Sequence, residues 1–239
     1  MRIQKLSILI PAYNEAKTIR NVLQNVSYLK LYKGILKEII IINDCPTDST
    51  IYEIELFQRE NPQCNIRLFN QPVNQGKGAA IHRGIKMATG DYIIIQDADL
   101  ELNPEDINLL LQKAIDEEID VVYGSRFLNK NYKNTSFIWH ILGNGFLTKL
   151  SNLFTGYKLT DMMTCYKLIP TSIVKSLTLK EKRFGFEPEI TMKLSKYKNL
   201  TIKEVPISYD ARSKDEGKKI NSGDGIRSIY CILKYRFTN

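Results

Sequence analysis

The sequence predicts an α/β fold, a mainly parallel sheet with helices packed over both faces. Apolar runs of strand length alternate with segments of helical period through the first half of the chain, the rhythm of β–α–β units. The runs are dominated by isoleucine, as strands covered on both faces are. A chain of 239 residues can bury one substantial core, so a single domain over 1–239 is expected.

Leu6–Ile10 reads as the first strand, and Asn14 as the cap of a helix through Ile19, Val22, Leu23, Val26 and Leu29. Glu38–Ile42 is a second buried strand, followed by a polar turn over Asn43–Asp48 and a helix carrying Ile51, Ile54 and Phe57. Ile66–Phe69 is a short third strand, after which a Gly-Lys-Gly loop opens a helix that Gly90 ends. Tyr92–Ile95 is the fourth strand. Pro104 suits the first turn of a helix with Ile107, Leu110, Leu111 and Ile115, and Val121–Tyr123 is the fifth strand. Beyond Arg126 the rhythm breaks. The remainder offers a helix over Trp139–Phe154, an unassigned stretch Asp161–Leu168, a helix from Glu187 to Lys196, a strand over Thr201–Tyr209, a charged loop and a terminal helix. Residues 1–126 look like a nucleotide-binding half and 127–239 like the part that shapes an acceptor site.

Bulk properties narrow the function. Hydrophobic content of 43% and charged content of 25% are those of a soluble globular protein, and no apolar run approaches the ~20 residues of a membrane-crossing helix. Met1–Lys5 leads straight into a strand, with no signal-peptide pattern, and a cytoplasmic protein is expected. Cys45, Cys64, Cys165 and Cys231 lack paired ligand spacing, so they read as reduced thiols. His82 and His140 are isolated. The net charge of +8 favours an acidic partner. No nucleic-acid-binding motif accompanies it, so no nucleic acid is expected.

Polar clusters recur where the strands end: Pro11–Glu15, Asn43-Asp44, Asp97-Ala98-Asp99 and Gly124-Ser125-Arg126. Singly they are ordinary turn residues. Together they would converge on the crevice at the carboxyl ends of parallel strands, where open α/β sheets bind ligands. Burial accounts for Ile93–Ile95 but not for two carboxylates one residue apart, a spacing that suits a divalent cation shared with a substrate's phosphates.

With those motifs the chain resembles family 2 glycosyltransferases of the GT-A fold, a Rossmann-like, mainly parallel sheet. The resemblance rests on Pro-Ala-Tyr-Asn-Glu, Asn-Asp-x-x-x-Asp-x-Thr, Asn-x-Gly-Lys-Gly and Gly-Asp-Tyr-x-x-x-x-Asp-Ala-Asp. Gly124–Phe127, Thr164–Lys167, Phe186–Ile190 and Glu216–Ile220 are similar to the polyprenyl-phosphate branch, the dolichyl-phosphate mannose and glucose synthases and their bacterial relatives. The likeness spans about Leu6 to Arg236. It implies that Pro11, Ala12, Tyr13 and Glu15 line the nucleotide pocket, that Asp44 accepts hydrogen bonds from the base, and that Lys77 reaches the nucleotide. It implies that Asp97 and Ala98 border the nucleotide-sugar, and that Asp99 holds Mg²⁺ or Mn²⁺ with Glu101 as a second ligand. Arg126, Arg212 and Lys218 would face the phosphates. One departure is Asn43-Asp44-Cys45-Pro46, where relatives have Asp-Asp-Gly-Ser; it leaves the base preference open.

The activity this implies is inverting transfer of a sugar from a UDP-glucose or GDP-mannose type donor, in glycan or cell-envelope biosynthesis. The acceptor would be polyprenyl phosphate or another glycan-lipid acceptor. A hydroxyl acceptor would need a base, with Asp161 the candidate. The alternatives are a sugar nucleotidyltransferase and a noncatalytic nucleotide-sugar-binding module. Peripheral contact with an anionic membrane at its cytoplasmic face is expected through 225–237, where Ile226, Ile229, Tyr230 and Leu233 share a helical face bordered by Arg227, Lys234 and Arg236. Phe137, Ile138, Trp139, Ile141 and Leu142 are a second candidate for membrane contact.

Overall fold

The computed structural model describes residues 3–128, 138–211 and 222–238. Strands β1 (Lys5–Ala12), β2 (Leu36–Asn43), β3 (Ile66–Asn70), β4 (Tyr92–Ile95) and β5 (Val121–Ser125) stand where the apolar runs lie. Between them come α1 (Ile19–Tyr28), α2 (Thr50–Glu60), α3 (Lys77–Met87) and α4 (Ile107–Asp116). The later part adds α5 (Ile138–Thr155), β6 (Lys167–Pro170), α6 (Thr171–Ser176), α7 (Phe186–Leu194), β7 (Ile202–Pro206) and α8 (Ser222–Phe237).

The seven strands of the described residues form one sheet in the order β3-β2-β1-β4-β6-β5-β7. Its pairings are parallel except those of β6, which runs against both neighbours. Side chains alternate across a strand, so each central strand feeds two cores. Leu6, Ile8, Ile10, Ile39, Ile41 and Ile94 pack under α1 and α4. On the other face Leu9, Ile40, Ile42, Ile93 and Ile95 pack under α3 and α7. Each such side chain removed from water contributes roughly 1.5–3 kcal/mol. A third cluster of Leu147, Met162, Met192, Cys231, Ile232 and Tyr235 joins α5, α7 and α8.

Three details differ from the sequence reading. Asp161–Leu168 ends in strand β6, hidden from an apolar pattern because it opens on Lys167. That lysine is 1% exposed; its ammonium donates to the Thr164 carbonyl and lies 4.8 Å from the Tyr123 ring centroid, and burial pushes its pKa down to about 8. Asn14 does not cap a helix. It takes a left-handed φ of 54°, and its side chain accepts from Thr47 N at 2.8 Å and donates to Thr47 Oγ1 at 3.1 Å, which ties the loops after β1 and β2 together. Finally, β7 is shorter than the expected Thr201–Tyr209, ending at Pro206, although Ile207 N still donates to Ser125 O at 3.0 Å.

Candidate active site at the carboxyl ends of the strands

The loops leaving β1, β2 and β4 each contain a non-glycine residue held at positive φ: Asn14 at 54°, Cys45 at 54° and Leu100 at 63°. That conformation costs about 1–3 kcal/mol per residue and gathers where function constrains the backbone. The loops are also cross-tied. Ala12 O accepts from Asp44 N at 2.9 Å, Glu15 N donates to Thr50 Oγ1 at 2.9 Å, and Thr18 Oγ1 donates to Ala98 O at 2.7 Å. Ala12 and Ala98 are buried, whereas Pro11, Tyr13 and Glu15 are half-buried.

Asp44 is 2% exposed. Its Oδ1 accepts from Gln71 Nε2 at 2.7 Å and Gln75 N at 2.8 Å, and its Oδ2 from Gly76 N at 2.7 Å. The carboxylate expected at the base thus shapes the Gly-Lys-Gly loop, with one of its about four lone-pair positions left over. Gly76 and Gly78 let that loop lie against Glu181–Arg183. A Cβ on Gly76 would stand 2.6 Å from Lys182 O, and one on Gly78 2.3 Å from Glu181 O.

Lys77, set on this loop, turns inward. Its Nζ is 2.6 Å from Asp97 Oδ1, 2.9 Å from Cys165 Sγ and 3.8 Å from Glu187 Oε1. Burial works against the ammonium, but Asp97, Cys165 and Glu187 outweigh it and hold the Lys77 pKa well above the ordinary value. Asp97 mirrors this: burial would raise its pKa, and Lys77 brings it below the ordinary carboxylate value.

Arg126, at the end of β5, makes the second charged pair. Its Nε lies 2.7 Å from Asp161 Oδ2 and its Nη2 2.8 Å from Oδ1, the bidentate fork suited to guanidinium. Arg126 N and Asn144 Nδ2 supply two further donors to Asp161. The guanidinium also lies 5.1 Å from the Tyr209 ring centroid. Asp161 is 0% exposed. With four donors on it, this carboxylate positions Arg126 and is not disposed to take a proton from a hydroxyl.

Asp99 Oδ1 accepts from Glu101 N at 3.2 Å, and Glu101 Oε2 accepts from Tyr209 OH at 2.9 Å. Among the described residues no three His, Cys, Asp or Glu side chains form a ligand cluster. A divalent cation here would therefore draw on the hard oxygens of Asp99 and Glu101 together with phosphate oxygens and water, an ordinary donor set for Mg²⁺. Arg212 and Lys218 lie outside the described residues.

The structure thus joins Lys77 to Asp97 and Arg126 to Asp161, and it adds Cys165, Glu187, Asn144 and Tyr209, to which the sequence reading assigned no role. Cys165 and Glu187 fall within the Thr164–Lys167 and Phe186–Ile190 motifs. Their recurrence beside the strand-end clusters was the available signal.

Comparison with known proteins bears on the family and the fold. The model of glycosyl transferase family 2 matches residues 7–178. A dolichyl-phosphate beta-glucosyltransferase of Trichomonas vaginalis is 31% identical over 243 residues, covering 96% of this chain and 72% of its own. One from Dictyostelium discoideum is 30% identical over 252 residues, covering 97% and 74%. A dolichol-phosphate mannosyltransferase of Pyrococcus furiosus is 25% identical, covering 97% and 64%. Among solved structures, glucosyl-3-phosphoglycerate synthase of Mycobacterium tuberculosis, bound to Mn²⁺, UDP and phosphoglyceric acid, superposes with a TM-score of 0.73 over 99% of this chain and 80% of its own. At 19% identity that likeness establishes the fold, which is GT-A.

Proposed function

The chain belongs to glycosyl transferase family 2, and from that premise we propose that it moves a glucosyl group from UDP-glucose to a polyprenyl phosphate. The observation that carries this reading is the convergence of Lys77–Asp97 and Arg126–Asp161 at the ends of β4 and β5, in a chain aligned almost end to end with dolichyl-phosphate beta-glucosyltransferases. Residues 1–126 seat the donor and 127–239 the acceptor.

An oxygen of the acceptor phosphate attacks the anomeric carbon as the bond to UDP breaks on the opposite face, inverting that centre. The acceptor is already anionic, so no side chain need remove a proton, in keeping with an Asp161 fully engaged by Arg126 and Asn144. Asp97 takes the donor's hydroxyls, and Pro11, Tyr13 and Glu15 flank the nucleotide. Arg126, pre-set by its fork, faces the developing phosphate charge, with Arg212 and Lys218 completing the phosphate contacts. Mg²⁺ or Mn²⁺ would be held by Asp99 and Glu101, and when bound it supplies charge neutralisation for the departing diphosphate.

The lipid tail of such an acceptor brings the reaction to a membrane surface. No helix among the described residues is long and apolar enough to cross one; the contact proposed here is peripheral, on an anionic cytoplasmic face. The deciding experiment offers UDP-glucose and, in parallel, GDP-mannose to polyprenyl phosphate in detergent and follows the glycolipid. The mannose arm answers to the Pyrococcus likeness. Formation of glucosyl phosphoryl polyprenol is expected. No transfer from either donor, or pyrophosphate release from a nucleoside triphosphate and a sugar phosphate, overturns the proposal.

A further inference from the structure

Buried polar atoms in folded proteins nearly always have partners, and the exceptions ask for an explanation. Among the described residues five buried side-chain atoms lack one: Ser27 Oγ, Asn43 Oδ1, His82 Nε2, Thr171 Oγ1 and Glu187 Oε2. Four belong to a hydroxyl, an amide or an imidazole. The fifth is a carboxylate oxygen, the costliest kind to bury without a donor, and it stands in the candidate site.

Glu187 lies in the first turn of α7, a helix whose nine residues are all buried. It is 3% exposed, so bulk water does not solvate it, and burial raises its pKa against the pull of Lys77 and Lys167. Its Oε1 is 3.8 Å from Lys77 Nζ, too far for a hydrogen bond but inside ion-pair range. The same ammonium sits at hydrogen-bond distance from Asp97 Oδ1, 2.6 Å, and from Cys165 Sγ, 2.9 Å. An ammonium has three N–H donors, so one remains for a third partner. A shift of about 1 Å toward Glu187 would make that contact a hydrogen bond.

The geometry also poses a conflict. Asp97 must meet the donor, yet its closest partner is Lys77. Simply pulling the lysine away would leave two buried charges apart, which is strongly unfavourable. A second carboxylate within reach removes the conflict, because the ammonium never loses a counter-ion. We propose that Glu187 is a positioning residue that takes over Lys77 when the donor engages Asp97. Lys77 is then a cation shared between two carboxylates, on Asp97 without donor and on Glu187 with it. Glu187 touches neither donor nor acceptor and acts through Lys77. This rests on Asp97 as a donor-contacting residue in the glycosyltransferase reading above.

The test is a double-mutant cycle on the full chain, with UDP-glucose and MgCl₂ titrated calorimetrically in the absence of acceptor and GDP-mannose titrated in parallel. Glu187→Gln keeps the shape of the side chain and removes its charge, which strands Lys77 on Asp97. Donor affinity should fall about tenfold. In a Lys77→Met background, where nothing remains to be shared, the same substitution should change affinity less than twofold, because coupling of this kind vanishes when the intermediary is gone. Thermal unfolding, read alongside, should show Glu187→Gln no less stable than the parent. If that variant does not fold, Glu187→Asp retains the charge one methylene further back and should give a partial loss that again depends on Lys77. Unchanged affinity on Glu187→Gln in the otherwise unmutated chain overturns the proposal, and so does an equal loss with Lys77 and with Lys77→Met. Failure of the unmutated chain to bind either nucleotide-sugar brings down the donor reading itself, a result that the variants cannot mimic.

Discussion

Two buried acids stand at opposite ends of the sheet and are treated in opposite ways. At the amino end, Glu38, 2% exposed, accepts from Ser7 Oγ at 2.6 Å, Thr89 N at 2.6 Å and Thr89 Oγ1 at 2.9 Å. Lys5 and Arg67 add ion pairs at 3.2 and 3.4 Å. Burial alone would raise its pKa; the donors, Ser7 and Thr89 foremost, bring it down to about 2. At the carboxyl end, Glu187 keeps one oxygen without a partner among the described residues, and its pKa is raised. A saturated acid holds strands together, whereas an acid with spare capacity marks a place where partners are exchanged.

The Arg126–Asp161 pair tests whether this contrast follows the ends of the sheet or the degree of saturation, since it lies in the crevice yet is built like Glu38. Breaking a buried pair from one side costs about 3–5 kcal/mol. Asp161→Ala should lower unfolding free energy in urea by that amount and abolish transfer, because Arg126 loses its orientation. A loss of activity with stability unchanged would place the pair with Glu187 instead.

At the amino end, Glu38→Gln should destabilise without touching turnover. The fall from 4.5 to about 2 corresponds to about 3 kcal/mol. Because the folded pKa is depressed, this contribution is full above about pH 4.5 and fades as pH drops toward 2. The variant's stability should therefore lie below the parent's at pH 7 and converge with it in that acid window, as denaturation at stepped pH would reveal. A parallel loss of transferase activity in the folded variant would erase the distinction between the two ends.

Asp99→Asn is the converse experiment. It removes one ligand charge at a strand end while the fold stands, and activity should drop about a hundredfold, about 2.7 kcal/mol of transition-state stabilisation. An unaffected variant, with turnover persisting in EDTA, removes the cation from the reading.

The same contrast explains what could be read from the sequence. The saturated, apolar side of the molecule was legible. Five strands and their helices follow from runs such as Ile39–Ile42 and Ile93–Ile95, and the strand-end acids follow from being unexplained by burial. The exchange side was not. The helix from Glu187 follows from the sequence, but nothing in its pattern says that this carboxylate lies buried beside Lys77. Lys167 breaks the apolar pattern that would locate its strand. Asp161 reads equally as a base or a structural acid, since only the fold brings Arg126 onto it. Asn14 has the residue type of a helix cap, and only the position of Thr47 decides that it staples two loops.

The smallest expected effect concerns α8, which again has a satisfied side and a spare one. Its inner face buries Ser228, Cys231, Ile232 and Tyr235, and two of the basic residues expected to meet a membrane instead serve Glu181, Arg227 at 2.8 Å and Lys234 at 3.6 Å. Ile229 also turns partly inward against the third core cluster. The outer face keeps Ile226, Tyr230, Leu233 and Phe237 exposed, one stripe at i, i+4, i+7 and i+11. On α5, which packs against α8, Leu142, Phe146 and Leu153 are exposed at i, i+4 and i+11; the other residues proposed there lie outside the described residues or side chains. Asn144 ties α5 to Asp161 in the crevice, and Arg227 ties α8 to Glu181. An apolar stripe with basic neighbours suits the headgroup layer of an anionic bilayer. The double substitution Tyr230→Ser with Leu233→Ser should leave unfolding free energy within about 0.5 kcal/mol of the parent, as surface changes usually do. It should also reduce co-sedimentation with phosphatidylserine vesicles, and the parent's own binding should weaken as salt screens its cations. A parent chain that stays in the supernatant at low salt would leave the stripe without a membrane role, and unchanged sedimentation of the double variant would move the contact to α5.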